Sequence, residues 1–159
     1  MKKKRVERIL TEVRDAGADA FLLFNHELSG QPGTRYLSGF SGTESVLLIT
    51  EKGNFIFTDG RYFSQAREEC PDFELVPTGR TLFWEELEKV FRMLDLKKFV
   101  FDQSRTNYGA ISKLGEKIKG GSVVGSENIL QKIRAVKDER EITDIQRAAD
   151  IAISVFKKL

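Results

Sequence analysis

Apolar residues recur along this chain at spacings that change from segment to segment. Val6, Ile9, Leu10 and Val13 fall at helical intervals between charged residues, and Ala16-Gly17-Ala18 closes the pattern, predicting an amphipathic helix over about residues 3–16. Asp19 opens the run Ala20 to Phe24, too short for a helix and apolar at every position, which predicts a strand covered on both faces. Residues 25–35, with Asn25, Ser29, Gly30, Pro32 and Gly33, read as a loop. Two further strands follow at 45–50 and 55–58. The turn Glu51-Lys52-Gly53-Asn54 between them leaves no room for a crossover, so they form an antiparallel hairpin.

A helix from about Tyr62 to Glu69 stops at Cys70-Pro71, and Phe73 to Val76 is a strand. Thr81 is placed to cap a longer helix whose stripe is Phe83, Leu87, Val90, Phe91 and Leu94. Lys98 to Phe101 is a strand ending at Asp102, and Tyr108, Ile111, Leu114 and Ile118 mark another helix. Ser122 to Val124 closes the series. Strands alternating with helices, with one hairpin among them, predict an α/β fold: a mixed β-sheet flanked by helices over residues 1–127. From Ile129 one or two helices run on, with Asp138-Glu139 as an acidic start. The stripe Ile142, Ile145, Ala149, Ala152, Phe156 and Leu159 is unbroken at the last residue. That regularity predicts a helix that belongs to a larger protein and seeks a partner, a second copy of the chain included.

Composition narrows the function classes. The 159 residues carry 26 Lys and Arg against 24 Asp and Glu, a net charge of +2, which argues against a nucleic-acid-binding domain. Apolar runs stay far below the ~18 residues of a membrane span, and no apolar segment follows the basic N-terminus as in a signal peptide, so a cytoplasmic protein is expected. Cys70 is the single cysteine and His26 the single histidine. A disulfide, a thiolate cluster and a two-imidazole zinc site are thereby excluded within the chain. His26, in Asn25-His26-Glu27, reads as a surface or loop residue.

Three local motifs have chemistry to weigh. Gly39-Phe40-Ser41-Gly42-Thr43 is glycine-rich, but a strand follows it instead of the Lys-Ser/Thr and helix of a phosphate loop, so close backbone approach explains it better. Thr58-Asp59-Gly60-Arg61-Tyr62 joins a strand directly to a helix. Asp59 is expected to cap that helix, with a ligand-binding role as the alternative. The acidic groups Glu68-Glu69, Glu85-Glu86-Glu88 and Asp138-Glu139-Glu141 fall on the wet faces of helices, not in a cleft. Trp84, Tyr36, Phe40 and Phe63 lie near loops or helix starts, suited to core or interface.

Arg35-Tyr36-Leu37-Ser38-Gly39-Phe40-Ser41-Gly42-Thr43, then Val46-Leu47-Leu48-Ile49-Thr50, then Phe57-Thr58-Asp59-Gly60-Arg61-Tyr62 with Gln65-Ala66, together resemble the N-terminal domain of Xaa-Pro peptidases. These are the prolidases and aminopeptidases P, which share a two-domain plan with creatinase. Ile133 to Ile142 and Arg147 to Ala152 resemble the linker and first helix of that family's catalytic domain. The resemblance implies a creatinase/prolidase-like, ribonuclease H-like α/β domain at 1–127, and a truncated start of the catalytic domain at 128–159. It implies a full-length metallopeptidase that cleaves before proline with two divalent ions (manganese, cobalt or zinc) held by two aspartates, a histidine and two glutamates. None of those positions occurs here, so the chain itself is expected to hold no metal and to be inactive. A homodimer is implied, with proline-containing peptides as substrates and neither nucleic acid nor membrane as partner. The domain would assist oligomerisation and shape the active-site mouth, and Tyr36, Phe40, Ser41, Asp59, Arg61 and Tyr62 are the candidate mouth or interface residues. The alternatives are that these motifs only secure the fold, or that the chain is a binding module of a catalytically inactive relative.

Overall fold

The computed structural model describes residues 2–26, 32–79, 83–117 and 121–158. Helix α1 (Lys2–Asp15) leads into strand β1 (Ala20–Asn25), helix α2 (Pro32–Ser38) and the hairpin β2 (Ser45–Thr50) and β3 (Gly53–Asp59). Then come α3 (Phe63–Glu69), β4 (Glu74–Thr78), α4 (Phe83–Met93), β5 (Lys98–Asp102), α5 (Tyr108–Lys117) and β6 (Ser122–Ser126). Two helices, α6 (Ile129–Ala135) and α7 (Glu139–Phe156), complete the chain. Thr81, Ile118 and Leu159, each assigned a place in the sequence pattern, lie outside the described residues.

The six strands form one mixed sheet in the order β4-β3-β2-β1-β5-β6. β2 is antiparallel to both neighbours, whereas β3–β4, β1–β5 and β5–β6 are parallel pairs. Five strands therefore point one way and β2 alone is reversed. β1 is buried at all six positions because its two faces feed two cores. Phe21 and Leu23 meet α1, α2 and α6 through Ile9, Val13, Leu37, Ile129 and Leu130. Ala20, Leu22 and Phe24 meet α4 and α5 through Leu87, Phe91 and Leu114. Helices cover both faces, which is what strands without alternation require.

One expectation is corrected. Residues 32–38 are helical, not loop, because Pro32 takes a helix-start position where its missing N–H costs nothing. Gly33 there permits close packing: a Cβ would stand 2.5 Å from Leu130 Cδ1 and 3.3 Å from Leu23 Cδ2. The tail resolves as two helices. Among the described residues, none in α7 is buried.

Candidate functional site at the carboxyl edge of the sheet

Because five strands run in parallel, their carboxyl ends share one edge of the sheet. Asn25, Asp59, Thr78, Asp102 and Ser126 end their strands there, and Ser45 begins the reversed strand opposite Asn25. α3 packs on one face of the sheet and α4 and α5 on the other. The helical connections thus part company near β1–β3, the position at which open α/β sheets form ligand crevices.

Two segments furnish this edge. In the first, Phe40 is buried and meets the Tyr62 ring edge-to-face at 5.7 Å. The Ser41 amide and hydroxyl both donate to the Glu69 carboxylate at 2.7 Å, and Gln65 Nε2 donates to Ser41 Oγ at 2.8 Å. Thr43 Oγ1 and the Tyr62 hydroxyl share a hydrogen bond of 2.8 Å. The loop 39–43 is thus laced to α3 by named contacts. Partial burial pushes the Glu69 pKa up, but the Ser41 hydroxyl and amide and the Gln65 amide outweigh it and hold the carboxyl below the usual glutamate range.

In the second segment the expected helix cap is not found. Tyr62, not Asp59, is the N-cap of α3, and it makes no side-chain cap bond. Asp59 Oδ1 accepts from the Arg61 amide at 3.0 Å, and its carboxylate also receives the Arg61 Nε at 3.0 Å and a terminal guanidinium nitrogen at 2.8 Å. Asp59 ends its strand three residues before the N-cap position, too early to reach the first helical amides, so it closes the turn and clamps Arg61 instead. Arg61 also lies over the Tyr62 ring, 5.2 Å from its centroid. A cavity of about 160 Å³ opens beside this pair, lined by Glu44, Ser45, Thr58, Asp59, Arg61 and Thr78 among others.

His26 extends the same edge. Its Nδ1 stands 3.1 Å from Glu44 Oε1, and its ring stacks on Phe24 at 6.2 Å. Thr58 Oγ1 donates to the Glu44 carbonyl at 2.7 Å, which ties His26, Glu44 and the Asp59 turn together. The sequence offered no spacing that joined these residues; only the β1–β2–β3 register does. Trp84 and Phe83, both partly buried, pack on Phe24 at the margin of the core.

A family model for the creatinase/prolidase N-terminal domain matches residues 5–136. The chain belongs to that family. An uncharacterised peptidase of Bacillus subtilis (YqhT) is 26% identical over 156 residues, covering 98% of this chain and 42% of that protein. The X-Pro aminopeptidase of Thermotoga maritima superposes with a TM-score of 0.85 at 31% identity, over 97% of this chain and 42% of that one. The Xaa-Pro dipeptidase of Bacillus anthracis gives 0.87 at 29% identity, over 99% and 42%. This chain therefore spans less than half the length of these relatives.

Within this creatinase/prolidase domain, five of the six predicted site residues (Phe40, Ser41, Asp59, Arg61 and Tyr62) share the carboxyl edge. Tyr36 belongs to a different set of contacts. Its ring is buried under the Arg5 guanidinium, 4.1 Å from the centroid, and burial raises its pKa. Arg5 also donates to the Tyr36 carbonyl at 3.0 Å and to Asp138 Oδ2 at 2.7 Å. It thereby joins α1, α2 and the start of α7. Among the described residues no group of three or more His, Cys, Asp or Glu side chains could hold a metal ion. The described residues therefore do not fit the divalent pair implied by the resemblance. No helix among them is long and apolar enough to cross a membrane.

Proposed function

We propose that this chain is the non-catalytic N-terminal domain of a cytoplasmic, homodimeric Xaa-Pro peptidase, and that its carboxyl edge forms part of the mouth through which proline-containing peptides reach the catalytic centre. The observation that carries this reading is the convergence of the 39–43 loop and the 59–62 turn on one edge, within a domain whose relatives are named as X-Pro aminopeptidase and Xaa-Pro dipeptidase. The edge has the chemistry of a wall. Arg61 is clamped by Asp59 yet remains 41% exposed at the side chain, so it presents fixed positive charge to a peptide. The Phe40–Tyr62 pair gives that wall an apolar, rigid backing. Any pair of divalent ions would be held by residues outside this chain, and so would the hydrolytic step.

The test joins residues 1–136 of this chain to the remaining part of the Bacillus anthracis dipeptidase. The chimera is expected to hydrolyse Xaa-Pro dipeptides with manganese or cobalt, while the chain alone, incubated identically, shows no turnover. Arg61→Ala in the chimera is expected to raise KM about tenfold with a smaller change in kcat, since it removes a binding contact and no reacting group. Turnover by the repurified chain alone, or an Arg61→Ala chimera with unchanged KM, would refute the reading.

A further inference from the structure

Only Val136, Lys137 and Asp138 link α6 to α7, and Val136 is extended and 64% exposed. None of the described residues of α7 is buried, so apolar packing on the body does not aim the helix. The matched family domain ends at residue 136, while the likeness to the Thermotoga maritima enzyme runs over 97% of this chain. α7 thus lies past the domain and still within its longer relatives.

One side chain of the body bridges the link. Among the described residues, Arg5 of α1 alone in the body makes a hydrogen bond or ion pair with Asp138 or α7. Its side chain is 16% exposed, and its contacts fix the guanidinium in three directions. One terminal nitrogen donates to Asp138 Oδ2 at 2.7 Å and stands 3.4 Å from Glu141 Oε2. The other donates to the Tyr36 carbonyl at 3.0 Å, among the last carbonyls of α2, which a helix leaves without internal partners. The flat face lies over the Tyr36 ring, 4.1 Å from its centroid.

The two acids it grips are the frame of the first turn of α7. Asp138 accepts from the Glu141 amide and the Glu141 carboxylate accepts from the Asp138 amide, each at 3.0 Å. The Glu141 amide first, and Arg5 second, hold the Asp138 carboxyl below the usual aspartate range. Turning α7 about its link would therefore break the fork, the stack or the capping box. A lysine has neither the fork nor the plane to replace this contact.

We infer that Arg5 is a positioning residue: its clasp on the capping box sets the direction in which α7, and whatever follows it in the longer relatives, leaves this domain. That direction decides how the carboxyl edge stands against the catalytic centre, a second step that rests on the reading of that edge as the mouth.

The direction is measured on the full chain by pulsed electron paramagnetic resonance. Spin labels go on Glu116→Cys in α5 and Arg147→Cys in α7, both exposed, in a Cys70→Ala background. Arg5→Lys and Asp138→Asn are each expected to widen the distance distribution at least about twofold. Asp138→Asn should leave the circular dichroism unchanged, because asparagine caps a helix as well as aspartate does. Distributions as narrow as that of the parent in both variants overturn the inference.

The consequence for the mouth is read in a chimera of residues 1–159 with the remainder of the Bacillus anthracis dipeptidase. Both variants are expected to raise KM for Xaa-Pro dipeptides about threefold or more with little change in kcat, whereas a loss of folded enzyme would lower kcat and leave KM alone. If Arg61→Ala raises KM there and neither clasp variant does, the mouth reading stands and the positioning role of Arg5 is overturned. If Arg61→Ala also leaves KM unchanged, the mouth reading fails, and the distance measurement decides the clasp by itself.

Discussion

At Gly42 the chain has no room for a side chain: a Cβ would stand 2.4 Å from the Phe40 ring and 2.9 Å from that of Tyr62. Gly42→Ala is expected to cost about 1–3 kcal/mol by prising those rings apart. Urea unfolding measures it, and an unchanged midpoint would show that the rings yield freely. Asp59→Ala is expected to cost about 1–2 kcal/mol, because Arg61 loses a clamp that is half solvated and the turn loses an acceptor. A wild-type midpoint in that variant would mean the clamp contributes nothing to stability. Glu69 makes a pH-dependent contribution. Its folded pKa lies below the unfolded value, so its share of stability is complete above the ordinary glutamate value and is lost as pH falls through the depressed one. In Glu69→Gln the fall in stability on acidification through that range should be shallower than in the wild type, as followed by thermal melts across the acid limb. The sequence marked Asp59, Arg61 and Tyr62 as a unit. It misjudged what Asp59 binds, since an acid two residues before an amide serves a turn as readily as a helix cap.

The elements themselves were largely legible. An all-apolar run such as Ala20 to Phe24 can be stable only with both faces covered, and a connection as short as Glu51-Lys52 can only return the chain antiparallel. α2 was not legible, because Pro32 and Gly33 break helices in general and start or pack them in particular contexts. Gly33 is required by Leu23 and by Leu130, the latter far along the chain, and no local pattern records that. The site was less legible than the fold for the same reason: His26 and Glu44 are brought together by strand register alone. The elements differ sharply in what holds them. β1 and β2 are buried at every position, whereas no described residue of α7 is. Hydrogen exchange in dilute protein is therefore expected to be fast along α7 beyond its capped first turn and slowest in β1 and β2. Protection of α7 equal to that of the central strands at all concentrations would contradict this.

For the whole molecule, the contrast between body and rod predicts unfolding that is not a single step. Trp84, the one tryptophan, packs against Phe24 and Phe83 on the α4 side of the sheet and so reports on the body. Far-ultraviolet dichroism also reports α7. The two probes should give separate transitions in dilute protein, with the dichroism falling first; coincident curves would mean that α7 is coupled to the body more tightly than its contacts indicate. The sheet order carries a further consequence, for the chain during synthesis. β1, β2 and β3 form a meander from neighbouring segments, so it can assemble as soon as those residues emerge. The other side of β1 must wait for β5, where Ala20 at last meets Phe99 and Phe21 meets Val100. Until that late strand arrives, the most apolar strand in the protein has one bare hydrogen-bonding edge, open to any passing strand. The growing polypeptide is thus most vulnerable to aggregation between translation of β3 and translation of β5, an interval in which a chaperone that shields β1 would do the most good.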